Sequence, residues 1–223
     1  MGNILELNNL KYSYTKNTPN VIDNLSLSFE SGKIYAVMGK SGTGKTTLLS
    51  LLSGLAKPTD GKILFKGKDI SKIDRYKYRS NLVGVVFQSF NLLPYLSATE
   101  NVMLSMDISG IKIKNKKEYA KEILKKVKLE ESELDRGILK LSGGQQQRVA
   151  IARALSYNPE IILADEPTGN LDSETEEEIM SILRMLADEG KCVIVVTHSS
   201  EVAKKADTVY ELKKTPHIDN KQS

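Results

Sequence analysis

The stretch Ile34-Tyr35-Ala36-Val37-Met38-Gly39-Lys40-Ser41-Gly42-Thr43-Gly44-Lys45-Thr46-Thr47 decides the fold. Its first five residues form a short apolar run, consistent with a buried strand. The run breaks into a turn that fits G-x-x-x-x-G-K-[ST] at Gly39–Thr46, and then into a helical stretch, Thr46–Leu55. Glycines at 39, 42 and 44 let the chain turn tightly and bring its N–H groups onto phosphate oxygens, a cradle in which Lys40, Ser41 and Thr43 take part. The helix that follows presents unpaired N–H groups and the positive end of its dipole to an anion. Lys45 reaches the β- and γ-phosphates, the Thr46 hydroxyl ligates Mg²⁺, and Thr47 adds a further hydroxyl. A random chain of this length matches the pattern about one time in a hundred. Here the match also lies between an apolar strand and a helix, so a chance turn is set aside.

A second segment, Ile161-Ile162-Leu163-Ala164-Asp165-Glu166, is an apolar strand ending in two acids. Open α/β sheets bind ligands at the C-terminal ends of their strands. Asp165 is therefore expected to hold Mg²⁺ through water, and Glu166 to act as the general base that polarises the attacking water. A solvated acid pair is the plain alternative, and the phosphate loop upstream outweighs it. His198 follows Val195-Val196-Thr197 at a third strand end, where an imidazole could hydrogen-bond the γ-phosphate or the catalytic carboxylate.

Around these segments, residues 4–14 and 25–29 read as alternating strands with a turn at Asn17–Asn20, and 62–66 and 82–87 read as a strand pair. Cys192–Val196 reads as a buried strand and 173–188 as a helix, so strand and helix alternate as in a parallel α/β sheet. Residues 89–158 are helical in pattern, with Ala120, Ile123, Leu124 and Val127 on one face. They read as a lobe inserted into a core of 1–88 and 159–213, followed by a polar tail, 214–223, that frays.

Composition bounds the role. The 223 residues are 40% hydrophobic and carry a formal charge of +4, a mild excess that does not by itself suggest nucleic acid as a partner. One cysteine, Cys192, forbids an intrachain disulfide and favours a reducing compartment. No secretory leader opens the sequence and no apolar window reaches a membrane span, so any membrane work needs a second polypeptide. The lysines at 112, 114, 116, 117, 121, 125, 126 and 128 read as the solvated side of an amphipathic helix.

Leu141-Ser142-Gly143-Gly144-Gln145 narrows the class. Ser142 is a good N-cap, and a Ser-capped, Gly-rich helix start is a second anion site, although one γ-phosphate is already served by Lys45. The pentapeptide arises by chance on the order of once in several thousand such chains. With it the sequence resembles the ATP-binding-cassette family over about residues 5–212, every motif in family order. The resemblance implies a single cassette domain, 1–223, of α/β class. It would have a P-loop NTPase core with a mostly parallel sheet, an N-terminal antiparallel β subdomain and an inserted helical subdomain. It implies ATP with Mg²⁺ as ligands. It also implies that Ser142, Gly144 and Gln145 serve the ATP of a partner subunit, either a second copy or a related cassette.

By the same resemblance Tyr14 stacks on adenine, with Tyr12 the second candidate, and Gln88 senses Mg²⁺ and the attacking water. Asp172, in Gly169-Asn170-Leu171-Asp172, crosses the dimer interface or caps a helix, or both. Phe87–Pro94 and Ala164–Asp172 look like the branch of macrolide exporters, lipoprotein-release systems, peptide-resistance transporters and the cell-division cassette. That branch implies an ATPase at the cytoplasmic face of the membrane, powering a separate transmembrane permease subunit. Export or antimicrobial resistance is the expected role, and ATP-driven control of cell-wall enzymes the alternative. Part of Phe90–Leu96 is expected to form the groove that receives the permease, unless Leu92 and Leu96 pack inside the lobe.

Overall fold

The computed structural model describes residues 2–15 and 18–213. The chain begins with β1 (Asn3–Tyr12), β2 (Ile22–Glu30) and β3 (Ile34–Met38), then α1 (Lys45–Leu52), β4 (Asp60–Phe65), β5 (Lys68–Asp69), a single turn α2 (Arg75–Lys77) and β6 (Val83–Val86). Three helices follow, α3 (Ala98–Ser109), α4 (Lys116–Lys126) and α5 (Gly143–Leu155). The chain then returns through β7 (Ile161–Asp165), α6 (Ser173–Asp188), β8 (Cys192–Thr197), α7 (Ser200–Lys204) and β9 (Thr208–Glu211). Two sheets form. One is antiparallel in the order β2-β1-β4-β5; the other has the order β6-β7-β8-β3-β9, with every pairing parallel.

The parallel sheet divides the core because successive strand residues face opposite sides. Ile161 and Leu163 of β7, with Cys192, Ile194 and Val196 of β8, face the antiparallel sheet and the Leu48, Leu51 and Leu52 face of α1. Ile162, Ala164, Val193 and Val195 face the other way, onto α5 and α6. Stacked Tyr35 and Tyr210 join the two sheets, with Phe29 edge-on to both rings. Burial of Cys192 pushes its thiol up to about 12.

The predicted apolar face of α4 is real, since Ala120, Ile123, Leu124 and Val127 are all buried. Its lysines are largely paired, Lys116 with Asp107, Lys121 with Asp135, Lys125 with Glu131 and Lys126 with Glu189, as expected of a solvated face. Two expectations need correction. The 62–66 and 82–87 strands do not pair: β4 adds to β1, while β6 is the edge strand beside β7. The helix expected to reach Leu55 ends at Leu52, because Gly54 takes a left-handed φ of 71° that stops it. Asn17 of the proposed turn and the 214–223 tail lie outside the described residues.

Leu163 is fully buried at the centre of this layer. Leu163→Ala is expected to lower stability by about 2–5 kcal/mol, seen as a lower urea midpoint with an unchanged denaturant slope.

Candidate functional site

Strand register assembles the site. Met38 pairs with Thr197, Val196 with Asp165, and Ala164 with Val86. The residues that leave these strands, Gly39, His198, Glu166 and shortly after β6 Gln88, therefore emerge along one edge of the sheet.

Gly44 is the N-cap of α1, in a left-handed conformation with φ 94°, and no side chain caps the helix. The first N–H groups of α1 are thus left for an anion. Gly42, at φ 77°, has open space where a Cβ would stand, which lets a phosphate approach its backbone. The Lys45 ammonium folds over the loop, donating to the carbonyls of Gly39 at 2.6 Å and Lys40 at 3.2 Å. Ser41, Gly42, Gly44, Lys45, Thr46 and Thr47 line a cleft of about 470 Å³. Asp165, Glu166 and Gln88 face them across it, and Tyr14 closes one side, its hydroxyl 2.7 Å from that of Thr47. Tyr12 sits edge-on to Tyr14. Four of the residues expected around this nucleotide fall elsewhere. Gly39, Lys40 and His198 line a neighbouring hollow. Thr43 lines neither space: it is buried, and its hydroxyl donates to Lys40 O at 2.9 Å.

The two acids differ sharply in setting. Burial raises the Asp165 carboxyl above its usual range, the adjacent Glu166 charge adds to the rise, and Lys45 opposes it. Glu166 has a left-handed backbone, φ 44°, uncommon for a residue with a side chain. Its Oε1 lies 2.7 Å from His198 Nδ1, while its Oε2 accepts from the Thr197 hydroxyl at 3.0 Å and the His198 amide at 3.3 Å. Sequence reasoning assigned Thr197 no part. Its one signal is a hydroxyl ending an otherwise apolar strand, just before the histidine.

Among the described residues no three His, Cys, Asp or Glu side chains cluster as a metal cage. Mg²⁺ needs none, because it takes one or two protein oxygens and completes its shell with phosphate and water. Thr46, Asp165 and Gln88 in one cleft suit that mode.

Ser142, Gly144, Gln145 and Asp172 line no part of the cleft. Ser142 and Gln145 form a reciprocal capping box at the start of α5, and Gln145 also donates to Glu133. Asp172 caps α6, accepting from the Thr175 N–H at 2.9 Å and the Thr175 hydroxyl at 3.0 Å. A Cβ on Gly144 would lie 2.5 Å from Thr175 Cγ2, so only glycine lets the two helix starts meet this closely. Gln88 reaches the same region, with its amide 3.4 Å from Asn170 Oδ1.

A second, apolar-rimmed cleft of about 490 Å³ opens between the helical lobe and the core. Tyr76, Phe87, Asn91 and Ile108 line it, with Arg79 and Arg153. Neither guanidinium has a carboxylate partner among the described residues. Arg153 donates to the carbonyls of Phe90 and Asn91, both left-handed residues. Tyr95 lies outside this cleft and is 95% exposed, whereas Leu92 packs on the lobe core. Of the expected groove segment, Asn91 alone lines the cleft.

The family profile described as ABC transporter matches residues 22–169, and the chain belongs to that family. It is 46% identical to an uncharacterised ABC transporter ATP-binding protein, YclH of Bacillus subtilis, over 92% of this chain and 91% of that one. It is 41% identical to the macrolide export ATP-binding/permease protein MacB of Salmonella choleraesuis, over 95% of this chain but only 33% of MacB. The dimeric structure of MJ0796, a bacterial ABC transporter cassette, superposes with a TM-score of 0.84 at 41% identity, covering 94% of both chains. The same cassette is known as a dimer in a post-hydrolysis state bound to ADP and Pi. The chain is thus an ABC ATPase, the ATP-binding cassette of a transporter.

The contact between Gly144 and Thr175 is open to test. Gly144→Ala forces Thr175 to turn, which breaks its bond to Asp172, and the expected loss is about 1–3 kcal/mol despite the better helix propensity of alanine. Adding Thr175→Ser, which keeps the hydroxyl and removes the clashing methyl, restores the urea midpoint.

Proposed function

We propose that this cassette energises a separate membrane subunit that exports, or protects against, an antimicrobial compound or peptide, working at the cytoplasmic face of the membrane. The observation that carries the ATPase chemistry is a single cleft shared by the phosphate loop, Asp165 and Glu166. The export reading is supported by the similarity to MacB, a protein named for macrolide export. No helix among the described residues is long and apolar enough to cross a membrane.

In this reading the loop N–H groups and Lys45 hold the triphosphate, Tyr14 carries the adenine, and Glu166 takes a proton from the attacking water. Thr46, Asp165 and Gln88 would hold Mg²⁺, which when bound neutralises developing charge on the phosphates. His198 holds Glu166 through Oε1, from the hollow beside the cleft. Ser142, Gly144, Gln145 and Asp172, which line no part of the chain's own cleft, serve the nucleotide of a second copy or a related cassette. Each ATP then completes an interface, and the work comes from the different ATP affinities of the open and closed pair.

The lobe-to-core cleft is the proposed seat of the membrane subunit, entered by a short segment with apolar side chains and a carboxylate for Arg79 or Arg153. Because Arg153 grips the carbonyls just beyond Gln88, a segment seated there bears on the position of Gln88.

Glu166→Gln is expected to bind ATP normally, to lose about 10²-fold or more in turnover, and to accumulate a closed dimer on a sizing column with ATP. Near-normal hydrolysis would remove Glu166 from the base role. Ile108→Asp, on the exposed rim of the lobe cleft, should abolish co-purification with the membrane subunit while ATP binding is retained. Normal assembly would place the seat elsewhere.

A further inference from the structure

Glu166 is held by three donors that are not equivalent. The His198 side chain is 71% exposed, so water competes for its bond to Oε1. The His198 amide is 3.3 Å from Oε2, a long contact. The Thr197 hydroxyl, by contrast, is 3.0 Å from Oε2 on a residue that is 1% exposed. Its hydrogen bond is sheltered from solvent, where such bonds are strongest.

The direction of that bond follows from the carboxylate, which when ionised can only accept, and a neighbouring donor agrees with it. The Ser199 N–H, which can only donate, lies 3.0 Å from Thr197 Oγ1. The Thr197 oxygen therefore accepts from Ser199, and its own hydrogen is committed to Glu166 Oε2. Ser199 is in turn fixed as the N-cap of α7. A chain of donors thus runs from a helix start to the carboxylate. Oε2 receives two donors, which resists rotation of the carboxylate about its terminal bond. Oε1 remains the edge with an uncommitted lone pair. The left-handed backbone of Glu166 sharpens the need, because its side chain leaves an uncommon main-chain geometry.

We propose that Thr197 is a positioning residue for hydrolysis: by clamping Oε2 from a buried hydroxyl it presents Oε1 of Glu166 to the attacking water. This rests on the reading of Glu166 as the general base.

The test is steady-state ATP hydrolysis by the full chain carrying Thr197→Val, Thr197→Ala or Thr197→Ser, each also placed in a Glu166→Gln background. Valine keeps the shape and removes the hydroxyl; alanine removes it without setting a methyl beside the carboxylate. Both should lower kcat by roughly 10- to 100-fold, the size expected for losing a sheltered hydrogen bond to a charged group, with KM for ATP nearly unchanged. Serine, which keeps the hydroxyl, should recover most of kcat. In the Glu166→Gln background, removal of the hydroxyl should change residual turnover by no more than about two-fold, since residues acting as one unit do not add. The proposal is overturned if the valine and alanine variants hydrolyse ATP at close to the normal rate, if KM rises in step with the fall in kcat, if serine is as slow as valine, or if the loss adds fully to that of Glu166→Gln. Should Glu166→Gln alone prove nearly as active as the native chain, it is the base assignment that fails, and the two failures are told apart.

Discussion

Parallel pairing of β3 with β8, and of β8 with β7, is the constraint on which the rest depends. The three strands come from distant parts of the chain and share no turn. Their in-register pairing sets Met38, Thr197 and Asp165 within one residue of each other along the strand direction. A slip by a single residue would turn every side chain to the opposite face. The apolar sets on the two sides of the sheet prevent this, since Ile161, Leu163 and Ile194 belong to one core cluster and Ile162, Val193 and Val195 to the other. Burial of these layers is therefore what places the phosphate loop opposite two acids.

The lobe is tied to this edge by polar contacts at helix starts. The capped start of α5 and that of α6 touch where Gly144 meets Thr175, and Asp172 secures Thr175. Arg153, near the other end of α5, holds the carbonyls just past Gln88. One helix thus bears the LSGGQ segment at its start and, near its end, the arginine that grips the segment leading out of the glutamine. A displacement of α5 is felt at both places. That gives a physical route between the lobe and the cleft that needs no contact with the nucleotide itself.

Much of this was legible from the residues. The phosphate loop and the acid pair announce themselves because their chemistry needs fixed residue types at fixed spacing. The helix expected at 173–188 is the one observed, since Asp172 caps it and its apolar residues keep helical period. Pairing between distant strands was not legible, because period and length say nothing of the partner, and 62–66 went to the other sheet for that reason. Thr197 escaped because a hydroxyl at a strand end looks like any cap until the fold brings Glu166, 31 residues away, to meet it. The separation of Lys40 and His198 from the main cleft likewise depends on which side of the loop each side chain takes, which spacing alone does not carry.

Cys192 lies in the dry centre of β8, with its thiol held protonated by burial. Thiolate is the reactive form, so this sulfur is inert to alkylating reagents while the fold is intact. As it is the sole cysteine of the chain, the native protein already behaves as a thiol-free background. A single cysteine engineered onto α5 or α6 would take a spectroscopic label alone, and the movement of lobe against core could be followed without first stripping the protein of its own sulfur.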